Sequence, residues 1–384
     1  MLTSGIKFLN FKEKKNSLVV KKKLKLLLQN KDAVILSLSK NYNNSFDKKN
    51  IKRYRKSSNF RIIGMGGSTL GSQAIYDFLN HKIKKNFTFI DNLDANKKKQ
   101  KEKKYINIIV SKSGNTVETI ANSNILIKKK EKNIFITENK NSYLFQLAHK
   151  LKAEIIHHNN FIGGRYSVLS EVGMLPAELM GLNSNNFKQL NNIIKNKKFL
   201  NSLISNVSTT LYYINKKKFN SIIINYDEKS KNLFSWYQQL IAESLGKKSK
   251  GLLPIISSMP KDNHSVMQLY LDGFKNNFFT FFYVKEKNSL KIDNKKILPA
   301  QKFLKNKDID KIIFAQKKAT ENVFKHKNIP FRSFEIDNRD EKTLGELFCF
   351  FILETILIGK MLKLNPYDQP AVELIKKETK KILI

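Results

Sequence analysis

The sequence predicts an α/β chain of two domains, each a mainly parallel sheet flanked by helices, and three observations carry that expectation. From residue 60 onward, short β-prone apolar runs alternate with amphipathic helical ones, and the alternation starts again near residue 219. The length of 384 residues exceeds what a single hydrophobic core usually serves. Between the two series lies an Asn- and Lys-rich seam, "LNSNNFKQLNNIIKNKKF", at 182–199.

Residues 1–59 lack the alternation and read as a helical or partly extended preface. The first domain, 60–185, runs through "NFRIIGMG", "SQAIYDFL", "NFTFI", "YINIIV", "VETIANSNILI", "NIFIT", "SYLFQLAHKL" and "EIIH", a strand and helix alternation that implies parallel strands. The second, 186–384, runs through "FNSIIINY", the long helix "KNLFSWYQQLIAESLG", "FFTFFYV", the helix "DIDKIIFAQKKATENVFKHKN", "PFRSFEI" and a C-terminal helix around "LGELFCFFILETILIGKML". No solenoid period is visible, and the two halves are compatible with a distant structural duplication.

The formal net charge of +39 raises the question of nucleic acid, since clustered cations release counterions from phosphate backbones. "KKKLK" at 21–25 and "KKKQKEKK" at 97–104 are such clusters. No stacking aromatics are interleaved with them, and lysine is abundant throughout, so they read as solvated faces and no specific nucleic-acid partner is expected. Cys349, the single cysteine, sits in the apolar run "LFCFFILETILIG", which suggests a buried thiol in a reducing compartment. The N-terminus lacks the pattern of a secretory signal, and no apolar run reaches the eighteen or so residues of a membrane span. A cytoplasmic protein is expected.

Three loops carry candidate chemistry. "GMGGSTLG" at 64–71 lies between a strand and a helix, where open α/β sheets place ligands. Thr69 stands where a dinucleotide fingerprint needs its third glycine, although Asp91 sits where a ribose-binding acid would. Gly66, Gly67 and Ser68 instead suit a small polar ligand approached by backbone N–H groups and a hydroxyl, or a turn that needs positive φ. The next strand ends in "SKSGNT", where Ser111, Lys112, Ser113 and Thr116 gather at a helix start, a place suited to a phosphate monoester. A helix cap needs one such residue, whereas this loop offers five polar side chains in six positions. In "FIGGRYSVLSEVG", Arg165 follows a glycine pair at the end of another strand and would face the same rim, free to meet negative charge developing on a substrate.

The second half adds Glu243, at the end of an amphipathic helix beside Ser244, and His264, in a turn opening another helix. Either alone is weak, because a lone helical glutamate is usually a surface charge. Six histidines include only His157 and His158 as neighbours, without zinc-ligand spacing, so neither a metal nor any other cofactor is implied.

Together, "GMGGSTLG", "SKSGNTVET", "GGRYSVLSEVG", "ESLGK", "PKDNHSVMQLYLDG" and "PYDQPAVELIKK" resemble, in colinear order over residues 60–380, the glucose-6-phosphate isomerase family in its compact bacterial form. The resemblance implies two sugar-isomerase domains. It implies that Arg165 steadies an enediolate, Glu243 is the general base and His264 assists ring opening. It also maps the phosphate loop onto Ser111, Lys112, Ser113 and Thr116, places Gly67 and Ser68 at the substrate, and gives Gln369 a sugar contact. Lys376 would lie near the ring oxygen. Leu245 replaces the family's usual Asn, and Ile375 its usual Gly, which leaves Lys377 as the alternative to Lys376.

The implied reaction interconverts glucose 6-phosphate and fructose 6-phosphate by proton transfer through a cis-enediolate. The family is dimeric, with the ring-opening histidine lent by the neighbouring subunit, so a homodimer sharing His264 is expected. Two rivals are a dual phosphoglucose/phosphomannose isomerase and a non-catalytic sugar-phosphate sensor. A sensor needs the phosphate loop but no base, so Glu243, His264, Arg165 and Lys376 together favour the enzyme.

Overall fold

The computed structural model of the chain describes residues 1–30, 32–96, 104–128 and 131–384. It opens with a short strand, β1 (Ile6–Leu9), followed by β2 (Asn59–Ile63), β3 (Asn86–Ile90), β4 (Ile106–Val110), β5 (Lys132–Thr137) and β6 (Glu154–His157). Four more follow: β7 (Asn220–Asn225), β8 (Leu253–Ser258), β9 (Asn277–Val284) and β10 (Phe331–Ile336). They form two sheets, ordered β3-β2-β4-β5-β6 and β1-β10-β9-β7-β8.

Residue contacts divide the chain into two interleaved units. One comprises 21–196, 232–251 and 340–384; the other comprises 1–20, 197–231 and 252–339.

In the β2–β6 unit every strand pair is parallel, with Ile62 level with Phe89 on β3 and Ile108 on β4. Parallel strands are covered on both faces, which explains why β4 reads "INIIV" and is buried at every residue. Ile63, Ile90, Ile109 and Phe135 from the strands pack with Leu144 and Ala148 of the helix Tyr143–Lys150. The helix Glu341–Met361 is buried from Thr343 to Gly359, as expected for a segment apolar on all sides. Phe348 and Phe351 of that helix meet Trp236 and Tyr237 at ring-centroid separations of 4.8 and 4.4 Å.

In the β7–β10 unit, β7 pairs in parallel with β8 and β9, β9 pairs in parallel with β10, and β1 closes the edge antiparallel to β10. Ile222, Ile224, Phe279 and Phe281 form its core with Phe324 of the helix Ile309–His326.

Two mainly parallel sheets match the expected fold class. The contiguous divisions 1–59, 60–185 and 186–384 differ from the interleaved units. Backbone pairing of β1 with β10 draws the first residues into the β7–β10 unit. Aromatic packing joins 232–251 to 340–384, and the hydrogen bond from Trp236 Nε1 to the Arg165 carbonyl at 3.0 Å ties them into the β2–β6 unit. Strand β8 lies outside the apolar runs that mark the other strands of the second series.

Among the described residues no helix is long and apolar enough to cross a membrane. Lys21, Lys22, Lys23 and Lys25 line the exposed side of the helix Leu18–Asn30, with Leu24 and Leu27 buried. The cluster at 97–104 lies, apart from Lys104, outside the described residues.

Candidate active site

The β2–β6 unit brings most of the expected residues to the carboxyl ends of its strands. After β2 the chain turns through Gly66 at φ +53°, a left-handed conformation that glycine adopts without strain. A Cβ on Gly66 would lie 2.7 Å from Nε2 of Gln239. Gly67 meets the Gly164 backbone so closely that a Cβ there would stand 2.2 Å from its carbonyl carbon. The glycines therefore let two loops touch, and Ser68 stands half-buried beside them.

After β4, the Ser111 and Thr116 hydroxyls hydrogen-bond each other at 2.9 Å. Thr116 precedes the helix Val117–Leu126 without a side-chain cap. Ser113 Oγ accepts from the Asn115 N–H at 3.3 Å, while the Asn115 side chain is taken by the Tyr143 N–H. No side chain thus satisfies the helix start, and exposed Ser113 stands in front of it. That arrangement suits an anion. Lys112 donates to the Asn160 carbonyl at 2.7 Å and stands 3.7 Å from Glu138. Burial draws its ammonium below the ordinary lysine range, against the pull of Glu138.

Arg165, 1% exposed, lies in the short 3₁₀ turn Gly164–Leu169. Its Nη1 donates to Glu243 Oε2 at 3.1 Å and to Gln369 Oε1. Nη2 donates to the carbonyls of Pro366 and Asp368 at 2.7 and 3.0 Å, and Nε to Ser244 Oγ at 2.8 Å. The other Glu243 oxygen accepts from Gln239 Nε2 at 2.8 Å. Glu243 lies in the last turn of the helix Lys231–Leu245, and its side chain keeps 27% of its surface exposed. It is a carboxylate held at both oxygens yet open to a ligand.

Lys247 fixes the segment that carries Gln369. It donates to the Asn365 carbonyl and forms an ion pair with Asp368 at 2.7 Å, which holds that carboxyl below its ordinary range.

The structure does not join Lys376 to this cluster. It lies on the helix Val372–Leu383, exposed at every residue, and pairs with Glu373 at 2.6 Å; its neighbour Lys377 is exposed on the same helix. His264 closes the turn Lys261–His264 of the β7–β10 unit and is exposed. Sequence reasoning missed Gln239, whose signal was its position four residues before Glu243 on one helix. Among the described residues no group of three or more His, Cys, Asp or Glu could hold a metal ion.

Residues 47–384 match the family model described as phosphoglucose isomerase. The chain belongs to that family. A curated phosphoglucose isomerase relative, named glucose-6-phosphate isomerase, from Methanocaldococcus jannaschii is 33% identical over 349 residues, covering 85% of this chain and 86% of the relative. Among solved structures, a hypothetical protein from Thermus thermophilus superposes with a TM-score of 0.80 at 22% identity, covering 95% of this chain and 94% of that one. A glucose-6-phosphate isomerase from Chlamydia trachomatis gives 0.68 at 18% identity, covering 94% and 74%. Both share the fold, and the phosphoglucose isomerase family accounts for the order in which the loops occur along the chain.

Proposed function

We propose that the chain interconverts glucose 6-phosphate and fructose 6-phosphate, as its family membership and the names of its curated relatives support. The observation that carries the mechanism is Glu243, fixed at one oxygen by Arg165 and at the other by Gln239, in the same unit as a hydroxyl-rich helix start. Ser111, Lys112, Ser113 and Thr116 hold the phosphate; Gly67 and Ser68 offer N–H and hydroxyl groups to the sugar, and Gln369 contacts its hydroxyls. With the ring open, Glu243 removes the C2 proton of the aldose. The electrons pass into the carbonyl, giving a cis-enediolate whose negative oxygen is met by Arg165 Nη1. A hydroxyl proton passes from O2 to O1 and Glu243 returns its proton to C1, which yields the ketose. No redox partner is consumed, because oxidation at C2 balances reduction at C1.

His264 assists ring opening from a second copy of the chain in a homodimer, and Lys376 is the lysine that would serve the ring oxygen. The protein works in the cytoplasm. A coupled assay of fructose 6-phosphate turnover tests the activity, and the expected result is turnover that survives exhaustive chelation. Loss of activity in EDTA, restored by zinc or manganese, would refute the metal-free mechanism. For the shared site, Glu243→Gln chains co-refolded with His264→Ala chains should recover about a quarter of all sites, since half of randomly paired dimers are mixed and each holds one intact pair. No recovery in verified mixed dimers would rule out the lent histidine.

A further inference from the structure

The hydrogen bonds on the far side of Arg165 form a closed ring. Tyr166 Oη donates to the Pro366 carbonyl at 3.0 Å and stands 2.8 Å from Ser244 Oγ. Tyr166 has one proton, and the carbonyl can only accept it, so between the two hydroxyls Ser244 must be the donor. The Ser244 oxygen is then left to accept from Arg165 Nε, which it does at 2.8 Å. Pro366 closes the ring by also accepting from Arg165 Nη2 at 2.7 Å. Every hydroxyl proton therefore has one available direction. All the side chains involved are buried: Ser244 and Tyr166 are 0% exposed and Arg165 1%. Trp236 secures the backbone beneath, its Nε1–H donating to the Arg165 carbonyl at 3.0 Å. Burial also raises the Tyr166 hydroxyl to about 12, so it stays protonated and remains a donor.

The five N–H groups of Arg165 divide unevenly. Nε and both hydrogens of Nη2 are committed to Ser244, Pro366 and Asp368. Nη1 alone points to groups that a substrate can replace, Gln369 and Glu243. We propose that Ser244 and Tyr166 are positioning residues for the isomerisation, locking the guanidinium so that Nη1 is the one donor presented to the enediolate oxygen. Neither hydroxyl needs to touch the sugar. Their contribution is orientation, and it is felt where charge develops rather than where the sugar phosphate first binds.

The inference rests on the isomerase reading, and two ligands separate them: a phosphorylated hydroxamate that mimics the enediolate, and an open-chain polyol 6-phosphate that has no carbonyl. In Ser244→Ala, kcat should fall about tenfold to a hundredfold, the scale of a misplaced catalytic group. Affinity for the hydroxamate should fall by a similar factor, while KM and affinity for the polyol phosphate stay within about twofold, because binding common to ground and transition states is untouched. Ser244→Thr, which keeps the hydroxyl, should restore most of the rate. Tyr166→Phe removes the acceptor of the Ser244 proton and should show the same split at about threefold to tenfold. It decides the matter if Ser244→Ala does not fold. Equal weakening of both ligands, or unchanged hydroxamate affinity, would overturn the proposal. A wild-type chain without turnover would instead refute the isomerase reading itself.

Discussion

The two sheets are wound alike and furnished differently. In each, a first strand is followed by a neighbour on one side, and the chain then crosses to the other side for the next two: β2, β3, β4 and β5 in one unit, β7, β8, β9 and β10 in the other. The point where the winding reverses lies between β2 and β4, and between β7 and β9, and open α/β sheets bind ligands at such points. In the β2–β6 unit the loops there carry Gly66, Gly67, Ser68 and the Ser111–Thr116 run. Beyond β7 stands Asp227 instead, paired with Arg339 at 2.7 and 3.1 Å and accepting from Ser230. Glu286, beyond β9, lies 3.8 Å from the same arginine and 3.3 Å from Lys229. One reversal point is lined by glycines and hydroxyls without a capping side chain; the other is filled by its own ion pairs. The shared winding fixes where a site can lie, and the loop residues decide whether it exists.

The widest test of this contrast removes the base. Glu243→Gln keeps the side chain's size but cannot take a proton, so proton exchange at C2 should fall by about two to four orders of magnitude with the fold intact. Exchange near the wild-type rate, followed by loss of label from C2, would place the base elsewhere.

The opposite outcome is expected across the other reversal point. The Asp227 and Arg339 side chains are 10% and 8% exposed, and Arg339→Ala strands a buried carboxylate. Removing one partner of such a pair costs about 3 kcal/mol, measurable as a lower urea midpoint. KM for fructose 6-phosphate should stay unchanged in the folded fraction. A raised KM with undiminished stability would show that the loops after β7 and β9 bind substrate and erase the contrast.

These differences also explain what the sequence disclosed. Loops were legible because Gly66, Gly67 and the polar run at 111–116 are local signals: a positive φ, a close approach, a crowded helix start. Glu243 and Arg165 were legible as a pair only through motif order, since their contact spans 78 residues. Strand β8 escaped notice because Pro254 interrupts its apolar run, a residue tolerated there because β8 is an edge strand. β1 has four residues, and its partner β10 lies over three hundred residues away, so nothing local marks it. The contiguous division differs from the interleaved units for the same reason, since pairing and side-chain packing join segments that sequence order separates. Lys376 shows the converse: a motif position does not place a side chain when the surrounding helix has no buried residue.

The smallest expected effect falls on phosphate recognition and sharpens the contrast most finely. Ser113 and Thr116 sit where a phosphate would meet an uncapped helix start, so each hydroxyl contributes one bond to a charged ligand, a class of interaction near 1.5–3 kcal/mol at most. The net loss is smaller for Thr116, because its removal frees the Ser111 hydroxyl, now bonded to it at 2.9 Å, to turn toward the phosphate. Ser113→Ala should therefore raise KM about tenfold and Thr116→Ala by less, with kcat little changed, since phosphate is held alike in ground and transition states. Free glucose should be a very poor substrate for the wild type, and the variants should not alter its turnover further. If glucose is turned over comparably, or if the two variants lower kcat while sparing KM, then the β4 loop does not hold the phosphate and the open reversal point serves some other part of the sugar.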